Sequence, residues 1–244
     1  MKKNSLQKTI GIIGGMGPAA TALLFSKIVD MTDAECDADH IHIYIDNYTA
    51  IPDRTASIKS GSDLPVEYIC ESGEKLISIG ADILVIPCNT SHYYYDKIQH
   101  RLKVPVINML GETAFLCKTR GYKKVGVLAT DGTRNTGIFD TELSKCGIEA
   151  VYPSAKGQKE VMSVIYDQIK AGKSFDTREL SKYISEMVNF GAEAFILGCT
   201  ELPMALRDGD YGYRFIDTLD VLAQSAIHKA GYRSKKRDLF LQKR

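Results

Sequence analysis

Gly80-Ala-Asp-Ile-Leu-Val-Ile-Pro-Cys88 and Gly191-Ala-Glu-Ala-Phe-Ile-Leu-Gly-Cys199 align without a gap, 111 residues apart. Each reads as a short, continuously apolar strand that ends in a cysteine, the pattern of a strand buried on both faces. Two further pairs occur in the same order. Lys8-Thr-Ile-Gly-Ile-Ile-Gly-Gly-Met-Gly-Pro18 matches Lys123-Lys-Val-Gly-Val-Leu-Ala-Thr-Asp-Gly-Thr133 at 115 residues, and Val104-Pro-Val-Ile-Asn-Met-Leu110 matches Tyr213-Arg-Phe-Ile-Asp-Thr-Leu219 at 109. One such match means little, because buried strands resemble one another. Three in order at nearly one spacing mean that the chain is built from two copies of one unit.

The unit is α/β. Thr9 to Ile13, Ile41 to Ile45, Ile83 to Ile86, Val104 to Ile107, Val125 to Leu128, Phe195 to Leu197 and Phe215 to Ile216 read as strands. Helical periodicity lies between them, over Pro18 to Met31, Val66 to Ile79, Glu160 to Ala171 and Arg178 to Phe190. Strands separated by helices imply crossover connections and parallel sheets. We therefore expect two similar lobes of parallel sheet flanked by helices, related by an internal pseudo-two-fold, with an active site in the cleft between them. Residues 1–107 with about 218–244 form the first lobe in this reading, and 108–217 the second.

Composition narrows the classes of function. Thirty-one basic and 30 acidic residues leave a net charge of +1, which gives no electrostatic reason to expect nucleic acid or an anionic membrane as partner. No apolar run approaches the roughly 18 residues of a membrane span, and Met1 to Lys8 is a poor signal peptide, so the expected location is the cytoplasm. The basic stretch Arg233 to Arg244 reads as a solvated tail or a fraying helix end.

Six cysteines stand at 36, 70, 88, 117, 146 and 199, with no C-x-x-C pair and no zinc spacing, so no metal is expected. Most free cysteines are small buried hydrophobes, and Cys36, Cys70, Cys117 and Cys146 are read that way. Cys88 and Cys199 differ because the repeat makes them equivalent, each just beyond the carboxyl end of a strand, where parallel sheets place functional groups. Two matched thiols across a cleft suit inversion of a Cα centre. One face of the planar carbanion must lose a proton and the other must gain one, so an acid and a base must oppose each other. Nearby donors readily push a thiol toward thiolate, and Asn89, Thr90 and Thr200, which follow the cysteines where strands turn into helices, could bind a substrate carboxylate.

At these residues the chain resembles a known family. Pro87-Cys88-Asn89-Thr90, Gly198-Cys199-Thr200-Glu201, Gly14-Gly15-Met16-Gly17-Pro18 and Ile51-Pro52-Asp53-Arg54-Thr55 are similar to the motifs of the aspartate/glutamate racemase superfamily, most of all its aspartate racemase branch. The resemblance runs from about Thr9 to Val221. It implies an isomerase that interconverts L- and D-aspartate or glutamate without pyridoxal phosphate, metal or other cofactor, and a homodimer. Glutamate racemases of the superfamily tend to carry histidine after the second cysteine-threonine, where this chain has Glu201. Carried over by motif, Cys88 and Cys199 are the proton carriers. Arg54 clamps the distal carboxylate, a role suited to a bidentate guanidinium, and Lys170 assists it. Met16, Asn89, Thr90, Thr133, Thr200 and Glu201 line the substrate pocket.

Rival readings remain. Gly15-Met-Gly-Pro-Ala-Ala20 fits a dinucleotide fingerprint, with Asp46 as ribose acid, although 29 residues separate it from Gly17 rather than about 20. That reading leaves the duplicated cysteine strands unexplained. His92 lies four residues after Cys88 and would share a helical face with it, which suggests support of the cysteine's surroundings. Broad-specificity racemases and maleate isomerases belong to the same superfamily. A non-catalytic module that binds a small dicarboxylate is the alternative outside enzymes.

Overall fold

The computed structural model describes residues 7–174, 176–235 and 239. The first unit runs β1 (Ile10–Gly14), α1 (Pro18–Met31), β2 (Ile43–Asn47), α2 (Arg54–Lys59), α3 (Leu64–Ser78), β3 (Ile83–Val85), α4 (Tyr95–Arg101) and α5 (Met109–Thr119). The second runs β4 (Lys124–Leu128), α6 (Asp131–Asn135), α7 (Ile138–Lys145), β5 (Glu149–Val151), α8 (Ala155–Ser163), α9 (Arg178–Asn189), β6 (Ala194–Leu197), β7 (Phe215–Asp217) and α10 (Thr218–Lys229). The two sheets are parallel, with strand orders β2-β1-β3 and β5-β4-β6-β7.

The expected strand over Val104 to Ile107 is reduced to a bridge between Val106 and Leu84. Pro105 has no N–H to extend the ladder, yet its carbonyl accepts from the Leu84 amide and the Ile107 amide donates back to Leu84. The segment thus sits where β7 sits in the other sheet, and the repeat holds in space. It also explains the helix starts. Asn108 caps α5 by accepting from the Leu110 and Gly111 amides, and Asp217, its counterpart at the 109-residue spacing, caps α10 by accepting from the Leu219 amide.

Alternation along the strands divides the core into layers. Ile10 and Ile12 of β1, Ile83 and Val85 of β3, Val125 and Val127 of β4, and Ala194 and Ile196 of β6 all face one shared apolar cluster, filled by α1, α5, α7 and α10. Leu84 and Ile86 face outward to α3 and α4, while Phe195 and Leu197 face α8 and α9. Gly11 and Gly126, equivalent in the repeat, leave the gaps that Leu84 and Phe195 fill, since a Cβ at either position would collide with that side chain. Lys27 of α1 reaches Asp217 at 2.9 Å and Asp220 at 2.5 Å, an ion-pair tie between α1 and the start of α10.

Three local expectations change. The second strand begins two residues late, at Ile43. The helix expected over Glu160 to Ala171 is α8 followed by a π-helical segment, Val164–Ile169. Arg233 to Lys235 do not fray: the Asp33 amide donates to Arg233, Ser234 bridges Thr32, and the Lys235 amide donates to Met31. Backbone pairing explains why this start of the tail is held. The remainder of the expected tail, apart from Leu239, and Met1 to Leu6 lie outside the described residues. Among the described residues no helix is long and apolar enough to cross a membrane.

Candidate active site

Cys88 and Cys199 line one narrow cavity at the carboxyl ends of β3 and β6, and both are buried, at 6% and 7% exposure. The first unit contributes Met16, Arg54, Asn89 and Thr90 to its walls, and the second contributes Lys170, Thr200 and Glu201. Thr133 stands behind the wall, where its hydroxyl lies 2.9 Å from that of Thr90. The cavity measures about 10 Å³, room for about one water. A larger groove of about 770 Å³ passes the starts of β4, β6 and β7 and holds none of these residues.

The chain leaves each strand by a tight turn. Both cysteines precede short 3₁₀ segments, Thr90–Tyr94 and Leu202–Met204, rather than the α-helix starts expected from sequence. His92 secures the first turn. The Met109 amide donates to His92 Nε2 at 3.1 Å, which leaves Nδ1–H to donate to the Cys88 carbonyl at 2.9 Å. Burial holds this imidazole below the ordinary histidine range despite its bond to the Cys88 carbonyl, so it is neutral support for the Cys88 backbone. Asn89 Nδ2 donates to Thr218 Oγ1, while Asn89 Oδ1 is buried without a hydrogen-bond partner. Thr90 Oγ1 also lies 3.2 Å from Thr130 Oγ1, so the first cysteine turn is bonded to the start of α6.

Arg54 opens α2, whose Asp53 cap accepts from the Ala56 amide. Its guanidinium is buried and already engaged: Nη1 donates to the carbonyls of Ile51 and Pro52, and Nη2 to that of Met16. Nε alone is left without a partner. The residue expected to clamp substrate therefore also ties the Met16 loop to α2. That loop is spoken for on its other side, because the Gly15 amide donates to Thr21 Oγ1. One backbone donor of the fingerprint loop is thus used internally, and Met16 lines the cysteine cavity.

On the opposite wall, the Cys199 thiol donates to Glu201 Oε2 at 3.0 Å, and the Thr200 hydroxyl reaches the same oxygen at 3.3 Å. Lys170 Nζ lies 3.6 Å from Glu201 Oε1 and 4.7 Å from the centre of the Tyr166 ring. Burial, and after it the Glu201 carboxylate, push the Cys199 thiol well above the ordinary thiol range, while Lys170 pulls it back. This reverses the expectation that neighbouring donors favour thiolate, because the group that meets this sulfur is an acceptor. Burial opposes charge on Lys170, but Glu201, Cys199, Tyr166 and Cys88 together hold its ammonium above the ordinary value.

Sequence reasoning did not single out Asp53, Thr55, Thr130 or Tyr166, which also line the cavity. Thr130 had a signal, since the 115-residue spacing pairs it with Gly15. Tyr166 had none, because its hydroxyl meets Thr55, 3.5 Å away, only through tertiary structure. Among the described residues no group of three or more His, Cys, Asp or Glu side chains is placed to hold a metal ion.

Comparison with known proteins bears on the family and the fold. The family profile described as Asp/Glu/Hydantoin racemase matches residues 13–226. The broad specificity amino-acid racemase RacX of Bacillus subtilis (strain 168) is 29% identical over 222 residues, 89% of this chain and 96% of its own. The aspartate racemase structure from Picrophilus torridus superposes with a TM-score of 0.80 at 35% identity, covering 94% of this chain and 96% of that one. An aspartate racemase homologue from Pyrococcus horikoshii OT3 gives 0.77 at 25% identity, covering 92% and 99%.

Proposed function

The chain belongs to the Asp/Glu/hydantoin racemase family, and on that premise we propose that it interconverts L- and D-aspartate, with glutamate as a second substrate, by proton transfer between Cys88 and Cys199 without pyridoxal phosphate or metal. The observation that carries this reading is that both strand-end thiols line one buried cavity, with the Lys170 ammonium in the same wall and in electrostatic reach of both. One sulfur takes the Cα proton and the electron pair delocalises into the α-carboxylate; the other sulfur returns a proton to the opposite face. Backbone amides of Asn89, Thr90 and Thr200, at the two cysteine turns, receive the charge that develops there. Arg54 Nε–H and the Lys170 ammonium are the donors for a distal carboxylate.

An amino acid is several times larger than the cavity, so binding requires its two walls to separate. The lobe division at about residues 107 and 218 is the proposed seam, the cytoplasm the proposed location, and a homodimer the proposed assembly. The resemblance to RacX over nearly its whole length favours one second reading, a broad-specificity amino-acid racemase.

The test is proton NMR of L-aspartate, L-glutamate and neutral L-amino acids in D2O with metal-free, pyridoxal-free enzyme, alongside chiral analysis. Loss of the Cα signal with formation of the D-enantiomer, abolished in Cys88→Ser and in Cys199→Ser, supports the proposal and ranks the substrates. Absence of exchange with every amino acid overturns it.

A further inference from the structure

Glu201 is a buried carboxylate that two-thiol proton transfer does not in outline require. Both its oxygens are engaged within the protein, Oε2 by the Cys199 thiol and the Thr200 hydroxyl and Oε1 by the Lys170 ammonium. Its counterpart in the repeat, 111 residues earlier, is Thr90, a neutral residue bonded to other threonines. Among the described residues no carboxylate is hydrogen-bonded to the Cys88 sulfur. The pseudo-two-fold that makes the cysteines equivalent is therefore broken at the residue two beyond each of them.

We propose that Glu201 is a positioning residue that keeps the proton on Cys199, so that in the resting enzyme Cys199 is the proton donor and Cys88 the sulfur that abstracts. The inference rests on the two-cysteine reading above. The groups that face Cys199 are Glu201 on its own turn, Lys170 and Tyr166 from the π-helical segment and its end, and Cys88, Asp53 and Arg54 from the opposite wall. Of the two cations, Arg54 is held by three backbone carbonyls, and Lys170 is paired with Glu201 itself. Burial acts on both sulfurs alike, so the anion in hydrogen-bond reach of Cys199 is what sets it apart from Cys88.

The proton count closes over one turnover. The Cys88 thiolate takes the Cα proton, and Cys199 gives its own to the other face as the Cα–H bond re-forms. The enzyme is left with a Cys88 thiol and a Cys199 thiolate beside Glu201, a like-charge pair that Lys170 tempers. Exchange with solvent protons returns the resting form, while the product enantiomer binds the swapped one. Enantiomers have equal free energy, so kcat/KM is the same in both directions, and the asymmetry must appear in kcat and KM separately.

The experiment is iodoacetamide labelling of the substrate-free protein across a pH series, with each cysteine quantified by mass spectrometry. Because Cys88 and Cys199 are nearly equally buried, their relative rates report protonation more than access. In the wild type Cys88 is expected to label first. In Glu201→Gln the Cys199 rate at about pH 8 is expected to rise about tenfold, as loss of an adjacent negative charge favours thiolate, and kcat for the two enantiomers to converge. Lys170→Met is expected to slow Cys199 labelling instead, and it reads the same contact even where the first variant folds poorly. Loosened packing would speed labelling in both variants, so opposite signs separate electrostatics from structure. Faster labelling of Cys199 than Cys88 in the wild type, or shifts of the same sign or none in the two variants, overturns the proposal. Labelling needs no substrate: the expected pattern without any Cα exchange would sink the racemase reading alone, and exchange with a flat pattern would sink only the role of Glu201.

Discussion

Asn89 Nδ2 donates to Thr218 Oγ1 at 3.0 Å, and the Thr218 hydroxyl donates onward to the Leu197 carbonyl at 3.1 Å. Asn89 adjoins Cys88, and Leu197 ends the strand that leads to Cys199, so one buried hydroxyl links the two cysteine turns. Because its proton is committed to Leu197, Thr218 can only accept from Asn89, which fixes the amide with Oδ1 turned from it. That oxygen is buried without a partner, and an unpaired acceptor beside a cavity suits a substrate ammonium.

Thr218→Val tests this link. It keeps the side-chain shape but strands the Leu197 carbonyl and Asn89 Nδ2, at a cost of about 1–3 kcal/mol in urea unfolding. With the amide free to turn, kcat/KM should fall about tenfold or more. Thr218→Ser should restore both; failure of serine to restore kcat/KM would show that the hydroxyl is not the operative group.

Arg54→Lys should damage the site even though charge is retained. A lysine cannot serve the carbonyls of Met16, Ile51 and Pro52 together, so the Met16 loop loses its tie to α2. The expected result is roughly 1–3 kcal/mol of lost stability and a larger KM for aspartate. Unchanged stability with a raised KM would place Arg54 on the substrate side alone.

Gly126→Ala and Gly11→Ala probe the repeat. Either Cβ must displace a neighbour, Phe195 or Leu84, in a filled outer layer. Each should cost about 1–3 kcal/mol, measured by denaturant midpoint, while Gly61→Ala, where a positive φ but no neighbour opposes a Cβ, should cost less than either.

His92 makes stability depend on pH. Burial holds its folded value below 6.5, the ordinary one. The unfolded chain therefore binds the extra proton first as pH falls, and the native state is disfavoured. The contribution is complete above about pH 6.5 and is lost as pH drops toward the folded value. Urea unfolding between pH 7.5 and 5.5 should show the wild type losing stability more steeply than His92→Asn; equal slopes would remove His92 from the account.

Much of this molecule was legible in the chain. The short apolar strands, the Pro18 helix start and the placement of Cys88 and Cys199 are properties of a few consecutive residues, and the repeat doubled the strand and cysteine signals. The end of β3 could be read because four apolar residues followed by proline and cysteine admit few alternatives. The π-helical turn could not, because Glu160 to Ala171 has ordinary helical periodicity and nothing in that pattern marks the change of hydrogen-bond register at Val164–Ile169.

The sequence by itself determined two α/β units, their parallel sheets and two equivalent cysteines, since these follow from backbone preference and apolar period over short spans. Only the tertiary structure decided that the sheets share a central helical layer, that Thr218 serves Asn89 across 129 residues, and that Lys170 meets Glu201. The direction of a thiol's proton affinity belongs to that second class. It depends on which charge lies within a few ångströms once water is excluded, and the spacing of Lys170 and Glu201 along the chain carries no record of that distance.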